Sequence, residues 1–347
     1  MMVNDFSEYC INDTANIREA LVALNRISSD VLTLFVVNSK REVIGTVTDG
    51  DIRRGLIERG TLDVNITEIM HSDFYYLEKD QINVSLFKKI KSKGIVLLPI
   101  IQNKEIIGIL NLKQKKSLLP VDAVLMAGGK GLRLRPLTEQ TPKPLLKIGE
   151  KAIIDYNIDS LVEFGIENIN VTVNYLAEQI KTHFQKPVNG IKVRCIEEPY
   201  YLGTIGSVKF VEKFHNDTIL IMNSDLFTNI NYEDFYLHFK ETNADLTIAT
   251  IPYSMPIPYG IFDIENGLIK GIKEKPTFNY YANSGIYLIK KNLLDLIPEG
   301  EFFNATDFAE KLVKEGFRVV SFPLIGYWID IGKPEDYKKA QDFVKYV

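Results

Sequence analysis

The sequence predicts an α/β protein of two domains: a large domain with a Rossmann-like, mixed but mostly parallel sheet, and a smaller domain before it. Three observations support this prediction. The chain has 347 residues, which is long for one domain. Two segments within the first 117 residues share one plan, which indicates an internal repeat. Beyond them, apolar strand segments alternate with helical segments. We therefore place the domains at 1–117 and 118–347.

The composition narrows the class of protein. Apolar residues make up 46% and charged residues 25%, and the formal net charge is -4. No domain is strongly basic, so we expect no nucleic-acid partner. The start of the chain lacks a basic segment before an apolar core, and no run is as long as a membrane span. Cys10 and Cys195 have no zinc-like spacing. We expect a cytoplasmic protein with no membrane partner.

The repeat in the first domain pairs Leu34–Val47 with Leu97–Leu110. Each copy is an apolar strand, a polar turn with Lys and Ile-Gly, and a second apolar strand. An amphipathic helix pattern precedes each copy, over Ile17–Ile27 and Val84–Lys91. Two copies indicate a pseudo-twofold pair rather than a solenoid. The charged stretch Lys113–Pro120 is the predicted connector to the second domain.

This layout resembles a tandem CBS pair, the Bateman module that often senses adenosine nucleotides. The turn G-T-V-T-D-G-D-I-R-R, which ends at Arg54, is similar to the family's nucleotide-binding turn. The resemblance implies that Thr48 and Asp51 hold a regulatory nucleotide, and that Asn111 and Gln114 have lost this contact in the second copy. Thr48 and Asp51 also suit a helix cap without a ligand, which we place first. CBS pairs also serve as supports for dimers, and we expect a homo-oligomer.

The second domain begins with alternating elements. Strands are predicted over Val121–Met126, Asn168–Val173, Val193–Ile196, Thr218–Met222 and Leu246–Ile251, and helices over Ala152–Phe164 and Ala177–Phe184. In such sheets, ligands bind at the carboxyl ends of the parallel strands. The stretch L-M-A-G-G-K-G-L-R-L-R-P follows the first of these strands. Bare backbone beside positive charge suits a phosphate chain, and the alternative is a turn with solvated charges.

Two known phosphate loops do not fit this stretch. A Walker loop needs Ser or Thr after Gly129-Lys130, where the chain has Gly131. A dinucleotide fingerprint needs a third glycine where the chain has Leu134. Asp225 ends another apolar strand, and Asp330 lies among apolar residues. Magnesium prefers one or two carboxylates with waters and substrate phosphates, so these aspartates beside the loop favour a metal-bridged phosphate site.

The run from Leu125 to Ile148 resembles the signature of the sugar-1-phosphate nucleotidyltransferases, the NDP-sugar pyrophosphorylases, with Leu132 where the family usually has threonine. Later motifs follow in the family's order: E-E-P-Y-Y-L-G-T-I-G-S, N-S-D, Y-G, E-K-P, N-S-G-I-Y and W-I-D-I-G. The resemblance covers Val121 to the last residue. It implies a GT-A-like nucleotidyltransferase domain behind the tandem CBS module.

The resemblance also implies roles for single residues. The catalytic residues would be Arg133, Lys143, Asp225 and Asp330, of which the two aspartates would bind Mg²⁺. The nucleotide would lie against Leu125, Ala127, Gly128, Gly129, Gly131, Glu198, Gly203 and Thr204. The sugar phosphate would lie against Tyr259, Gly260, Glu274, Lys275 and Asn283. Two pairs within the sugar-phosphate set have an ordinary alternative. Tyr259-Gly260 also suits a turn, and Glu274-Lys275 also suits a solvated ion pair.

The implied reaction is the attack of a sugar-1-phosphate oxygen on the α-phosphorus of a nucleoside triphosphate, which releases pyrophosphate. Pro-Lys-Pro-Leu and Leu-Gly-Thr-x-Gly resemble the guanylyl and cytidylyl branches of the family. A CBS pair before this domain resembles enzymes that make GDP-glucosamine-type sugars for bacterial surface glycans. The sequence therefore predicts GTP with glucosamine-1-phosphate or mannose-1-phosphate. CTP, UTP or dTTP remain alternatives, as do a catalytically dead nucleotide sensor and, last, a glycosyltransferase.

Overall fold

The computed structural model describes residues 2–3, 6–27, 32–79 and 83–346. The chain divides into two compact units, Met1–Leu118 and Leu119–Val347. This division lies one residue after the boundary that we placed from the sequence. Among the residues that the structure describes, no helix has both the length and the apolar content needed to cross a bilayer.

The first unit repeats one motif twice. Its elements are β1 (Met2–Val3), β2 (Cys10–Asn12), α1 (Ile17–Arg26), β3 (Thr33–Val37), β4 (Val43–Thr48), α2 (Asp49–Arg59), β5 (Leu77–Glu78), α3 (Val84–Lys91), β6 (Leu97–Gln102) and β7 (Glu105–Asn111). They form two sheets, with strand orders β2-β3-β4 and β1-β7-β6-β5. In both sheets a parallel pair, β2 with β3 or β5 with β6, is followed by an antiparallel pair. The predicted repeat is thus present.

The two copies differ after their last strand. In the first copy, β4 leads directly into α2. In the second copy, Asn111 ends β7 and the chain turns, with the Gln114 amide donating to the Asn111 carbonyl at 3.1 Å and the Lys113 amide to Asn111 Oδ1 at 3.0 Å. No helix follows β7 within residues 111–121. The second copy therefore lacks the whole helix at whose start a nucleotide would bind.

The second unit is built on a seven-stranded sheet with the order β12-β11-β8-β13-β18-β15-β19. Its strands are β8 (Asp122–Ala127), β9 (Lys147–Ile148), β10 (Lys151–Ala152), β11 (Asn168–Val173), β12 (Val193–Glu197), β13 (Thr218–Asn223), β14 (Leu226–Thr228), β15 (Leu246–Pro256), β16 (Ile261–Glu265), β17 (Leu268–Lys273), β18 (Thr277–Lys290), β19 (Val319–Pro323) and β20 (Trp328–Asp330). Its helices are α4 (Ile153–Glu163), α5 (Ala177–His183), α6 (Tyr232–Glu241), α7 (Ala305–Lys314) and α8 (Pro334–Phe343).

The large sheet is mixed and mostly parallel, as predicted. Only β18 runs against the others, and it pairs antiparallel with both β13 and β15. The central strands are buried, and on one face of the sheet Val124, Ile221 and Ile289 pack in one cluster with Phe308 of α7. The carboxyl ends of β8, β11 and β13 consequently lie at the same edge of the sheet.

The sequence predicted five of the seven strands of the large sheet; β18, β19 and the strands of the three two-stranded sheets in this unit were not predicted. β15 continues past its predicted end at Ile251 to Pro256, and it pairs with β18. Beyond the sheet they continue to pair with each other, from Ile251 opposite Ala282 to Pro256 opposite Thr277. β16 and β17 follow as a separate two-stranded sheet. We call residues 251–283 the arm and β16 with β17 the tip hairpin. No residue of the arm is buried. The arm therefore lacks the apolar run by which a buried strand is recognised in a sequence.

Candidate active site

A cavity of about 670 Å³ lies at the carboxyl edge of the large sheet. It is lined by parts of the chain that are far apart in sequence, which include Ala127, Gly128, Gly129, Gly131, Arg133, Lys143, Glu198, Gly203, Thr204 and Asp225. All of these residues were predicted as catalytic or nucleotide-binding. The structure therefore brings most of the predicted nucleotide and catalytic residues to one wall.

Leu125 is the exception among the predicted nucleotide residues. Its side chain is fully buried in the middle of β8, where it lies opposite Val171 and Met222 on the neighbouring strands. It does not line the cavity, whereas the next residues along β8, Met126 and Ala127, do. The apolar character that makes Leu125 a good strand residue places its side chain in the core, so its predicted contact with the nucleotide stays a prediction, and only its backbone could make that contact.

The three glycines of the loop meet three different requirements. A β-carbon at Gly128 would collide with the Glu198 carboxylate, so a side chain there would force Glu198 to move. Gly131 has a φ of +61°, which favours glycine, and its carbonyl accepts a hydrogen bond from the Thr138 hydroxyl at 2.8 Å. Gly129 has open space where a side chain would stand. Its bare backbone therefore faces the cavity and leaves room for a ligand.

Leu132 stands beside these glycines and lines the same cavity, with 57% of its surface exposed. The short 3-10 turn Leu132–Leu134 still forms, because the Leu134 amide donates to the Gly131 carbonyl at 2.9 Å. The loop therefore forms this turn with leucine at the position where the family usually has threonine. It removes one hydroxyl group from the cavity wall.

One lysine and two aspartates form a charged cluster where the first cavity meets a second one, with Lys143 and Asp225 lining the first and Asp330 the second. Lys143 forms an ion pair with Asp225, and its Nζ lies 3.9 Å from Asp330 Oδ1. The side chain of Lys143 is only 11% exposed. β14 and β20 pair antiparallel with Leu226 opposite Asp330, and the Ile331 amide donates to the Asp225 carbonyl at 3.2 Å. This short ladder places the two carboxylates beside each other.

These carboxylates fit a divalent cation. Asp225 Oδ1 is buried and has no hydrogen-bond partner among the described residues. Burial raises the pKa of Asp330, and so does the charge of Asp225, while Lys143 and Arg133 act in the opposite direction. A cation between the carboxylates would relieve both features. The described residues contain no group of three or more metal-ligating side chains. Two carboxylates with substrate phosphates and waters are, however, a usual ligand set for Mg²⁺.

Glu198 lies across the cavity from this cluster and is 4% exposed. Burial raises the pKa of its carboxyl, while hydrogen bonds from the Leu202 amide and the Ser207 hydroxyl lower it. The Leu202 amide donates to Oε2 at 3.1 Å. Because a carboxylate offers about four acceptor positions, this bond leaves capacity for a ligand. The Tyr201 side chain lines the cavity nearby.

A second cavity of about 220 Å³ contains Asp330 and the predicted sugar residue Asn283. It shares Thr204 and Asn223 with the first cavity. Ser284 lines it with a buried hydroxyl that has no partner among the described residues. Sequence reasoning missed a group of polar and aromatic residues here, namely Asn223, Ser284, Asn304, Thr306 and Trp328. Three of them stand inside the quoted motifs N-S-D, N-S-G-I-Y and W-I-D-I-G, which was an available signal.

The remaining predicted sugar residues lie together in the arm, and they do not line either cavity. Tyr259, Gly260, Glu274 and Lys275 form a neck between two paired positions. On one side the Ile257 amide donates to the Pro276 carbonyl at 2.9 Å, and on the other side the tip hairpin begins. A β-carbon at Gly260 would lie 2.8 Å from Glu274 Oε2, so the two motifs face each other.

In the first unit, Asp51 is 3% exposed and fully engaged by its own neighbours. Its Oδ2 accepts from the Thr48 amide at 2.8 Å and from the Thr48 hydroxyl at 2.6 Å, while Oδ1 pairs with Arg54 and lies 2.9 Å from His71 Nε2. Burial would raise the pKa of Asp51, but the bonds from Thr48 and Arg54 and the charge of His71 lower it. Thr48 and Asp51 thus form a capping box for α2. A ribose would have to displace these partners.

Comparison with known families matches both units. A family model described as nucleotidyl transferase matches residues 122–346. A model of the CBS domain matches residues 3–58, which correspond to the first copy of the repeat.

Individual proteins match the second unit. A mannose-1-phosphate guanyltransferase from Yarrowia lipolytica is 31% identical over 226 residues, covering 62% of this chain and 61% of the relative. A UTP–glucose-1-phosphate uridylyltransferase from Synechocystis is 29% identical over 239 residues, covering 63% and 62%. The crystal structure of HddC from Yersinia pseudotuberculosis complexed with GMP-PN has a TM-score of 0.50 and 28% identity, covering 65% of this chain and 99% of that one. The chain thus spans about three fifths of the length of these curated relatives.

Proposed function

Because the chain belongs to the nucleotidyl transferase family and carries a CBS domain ahead of the transferase region, we propose that it is a Mg²⁺-dependent sugar-1-phosphate guanylyltransferase. The proposed reaction joins GTP to a hexose- or hexosamine-1-phosphate, with glucosamine-1-phosphate or mannose-1-phosphate as first candidates. The products would be a GDP-sugar and pyrophosphate. The observation that carries the proposal is the cluster of Lys143, Asp225 and Asp330 beside the glycine loop.

The chemistry needs little proton transfer. A phosphate monoester has a second pKa near ~6, so the attacking oxygen of the sugar phosphate already carries charge at neutral pH. A bond forms between this oxygen and the α-phosphorus, and the bond from the α-phosphorus to the bridging oxygen breaks, so that pyrophosphate leaves with the electron pair. No general base is required, which agrees with a cavity that contains no histidine.

The residues of the chain would act by holding charge in place. The backbone at Gly129 is open to the triphosphate, and the side chains of Arg133 and Lys143 supply positive charge on the same wall. Asp225 and Asp330 would hold Mg²⁺, with the unpartnered Asp225 Oδ1 as the most favourable ligand atom. When bound, Mg²⁺ supplies charge that neutralises phosphate oxygens during transfer.

The nucleobase is the finer part of the proposal, and Glu198 supports guanine. Guanine presents two adjacent N–H donors on its pairing edge, N1–H and N2–H₂, which suit a carboxylate. Uracil and thymine present one N–H between two carbonyl oxygens, which a carboxylate repels. The names of the relatives include both a guanyltransferase and a uridylyltransferase, so UTP is the second candidate.

The proposed substrates are metabolites of the cytoplasm, and we place the chain there. From the CBS domain ahead of the transferase region we also propose a role in supplying activated sugars for surface glycans. The CBS domain match supports a regulatory nucleotide at Thr48 and Asp51, although the capping box competes with it. Titration calorimetry of the full chain with ATP, AMP and GTP, in wild type and Thr48→Ala, tests this part. Equal binding in both proteins, or no binding in either, would refute a regulatory nucleotide site at Thr48 and Asp51.

The main test follows pyrophosphate release. The full chain is incubated with Mg²⁺ and each of GTP, CTP, UTP, dTTP and ATP against a panel of hexose- and hexosamine-1-phosphates. We expect release with GTP and one sugar phosphate, and none after chelation of the metal. Release only with another nucleotide would refute guanine selectivity but keep the transferase. Silence across the panel from folded protein would refute the proposed reaction.

A further inference from the structure

The tip hairpin has two chemically different faces. Phe262 lies directly opposite Ile272, and Ile264 lies directly opposite Ile269, so these four side chains share one face. Asp263 stands on the other face, where it forms an ion pair with Lys273 at 3.4 Å. The hairpin is therefore amphipathic, a pattern that normally accompanies one buried and one solvated face.

The apolar face is nevertheless uncovered. Phe262 is 52%, Ile264 66%, Ile269 57% and Ile272 67% exposed. A two-stranded hairpin alone is only marginally stable in water and normally needs packing against another element. Exposed apolar surface on this scale marks a site of interaction. The tip hairpin therefore has the composition of an element that is completed by a partner.

We propose that this partner is the same apolar face of a second copy of the chain. None of the four side chains on the face is charged, so it offers no charge pattern that would select a charged partner, but it is complementary to itself. In a twofold arrangement each copy presents the same patch, so residues of β16 in one copy can meet residues of β17 in the other.

The available area supports this choice of partner. Aromatic side chains bury about 150–250 Å² each, and with a somewhat smaller area for isoleucine the exposed fractions of the four residues correspond to roughly 400–500 Å² per copy. Beyond the neck, Tyr253 and Tyr280 form a cross-strand pair that is 59% and 54% exposed, so a contact that extends along the arm to this pair would bury about 700 Å² per copy. A stable interface of standard size buries about 800 Å² per partner. The arm is therefore of the right size for a dimer contact.

Cross-linking through a single introduced cysteine tests the contact directly, whatever else holds copies together. Ile264→Cys is placed in the full chain, and Ile325→Cys serves as the matched control because Ile325 is 88% exposed in the same unit. The native thiols react poorly at neutral pH, since burial raises the pKa of Cys10 and of Cys195 to about 11. A short thiol-to-thiol cross-linker is applied at low protein concentration, and linked chains are separated on a denaturing gel.

We expect Ile264→Cys to link pairs of chains at least ten-fold more than Ile325→Cys. Adding Ile272→Glu to Ile264→Cys should abolish the excess, because the charge would face an apolar surface. Since both side chains are exposed, thermal unfolding should show that every variant is folded. Equal linking of Ile264→Cys and Ile325→Cys would overturn the proposal, even if the protein is a dimer through another surface. The result is independent of pyrophosphate release, so its failure is distinct from failure of the proposed function.

Discussion

Asp51 in the first unit and Asp225 in the second occupy similar positions, since each lies within a few residues of the end of a strand. Their surroundings differ. Both oxygens of Asp51 are engaged by Thr48, Arg54 and His71, whereas Asp225 keeps a buried oxygen with no partner among the described residues. A carboxylate whose acceptors are all used stabilises its own turn, and one with an unused buried acceptor has capacity for a ligand. The comparison thus separates a structural aspartate from a candidate catalytic one.

The largest expected effect comes from Asp225→Asn, which keeps the shape and removes the charge. We expect pyrophosphate release to fall by about 10²–10³-fold, which is the usual loss for one electrostatic contact to the transition state. The variant loses the ion pair with Lys143, but Asp330 still lies 3.9 Å from the Lys143 Nζ, so thermal unfolding should show a somewhat lower unfolding temperature in a protein that is still folded. Asp295→Asn, at a side chain that is 89% exposed, is the matched control and should retain activity. A fully active Asp225→Asn protein would show that this aspartate is as structural as Asp51.

Glu198→Gln should change the choice of base. The amide replaces one acceptor with a donor, so one N–H of guanine loses its partner while a carbonyl of uracil gains one. We expect the ratio of kcat/KM for GTP to that for UTP to fall by about 10–100-fold, the range for about 1–3 kcal/mol. Glu197→Gln is the control, because Glu197 is half exposed and pairs with Lys181. An unchanged ratio in Glu198→Gln would assign Glu198 only to the support of the loop around Leu202.

A smaller effect is expected at the capping box. Thr48→Ala removes the hydroxyl that caps α2, and we expect it to lower the free energy of unfolding by about 1 kcal/mol. Pyrophosphate release at saturating substrate, without added regulatory nucleotide, should be unchanged. Thr67→Ala removes an exposed hydroxyl in a short turn of the same unit and should cost less. Equal stability of the two variants would mean that the bonds between Thr48 and Asp51 contribute nothing net.

The smallest effect is a difference in pH dependence. The pKa of Asp330 is raised in the folded chain, so its burial costs stability as the pH rises from the ordinary value near 3.8 through the folded pKa. The pKa of Asp51 is lowered, so its stabilisation is present above that ordinary value and is lost as the pH falls through the folded pKa. In the absence of metal, Asp330→Asn should therefore raise the unfolding temperature slightly at neutral pH. Asp51→Asn should lower it, and the two differences should converge in acid.

Much of the second unit could be predicted from the sequence because its buried parallel strands are short apolar runs with polar residues at their carboxyl ends. Asn168–Val173 was predicted with the bounds that the structure shows. β18 was missed because only its second half is buried and nothing in its composition reveals that it runs antiparallel. The arm was missed for a related reason. None of its residues is buried in this chain, so its alternation of polar and apolar residues does not mark one face that packs against a core.

The candidate site was predictable in its residue types but not in its contacts. The glycines, Lys143 and both aspartates were named from motifs; the glycines, Lys143 and Asp225 line one cavity, and Asp330 lines the second cavity. The distinction between Asp51 and Asp225 could not be read in the same way. It depends on His71, which lies 20 positions from Asp51 in the sequence, and on a single unpaired oxygen of Asp225. The spacing of Thr48 and Asp51 did favour a helix cap, but hydrogen bonds between residues far apart in the sequence, and an oxygen left without one, have no signature in local spacing.

The exposed arm also bears on how such a protein changes over generations. Most substitutions of buried residues cost stability, whereas exposed side chains are replaced at little cost. The neck residues Tyr259, Gly260, Glu274 and Lys275 belong to a segment in which nothing is buried. The glycine loop, by contrast, is fixed by close approaches such as that of Gly128 to Glu198. Substitutions in the arm therefore cost the fold little, whereas substitutions in the glycine loop disturb packed neighbours, so we expect the arm to diverge faster in sequence than the loop.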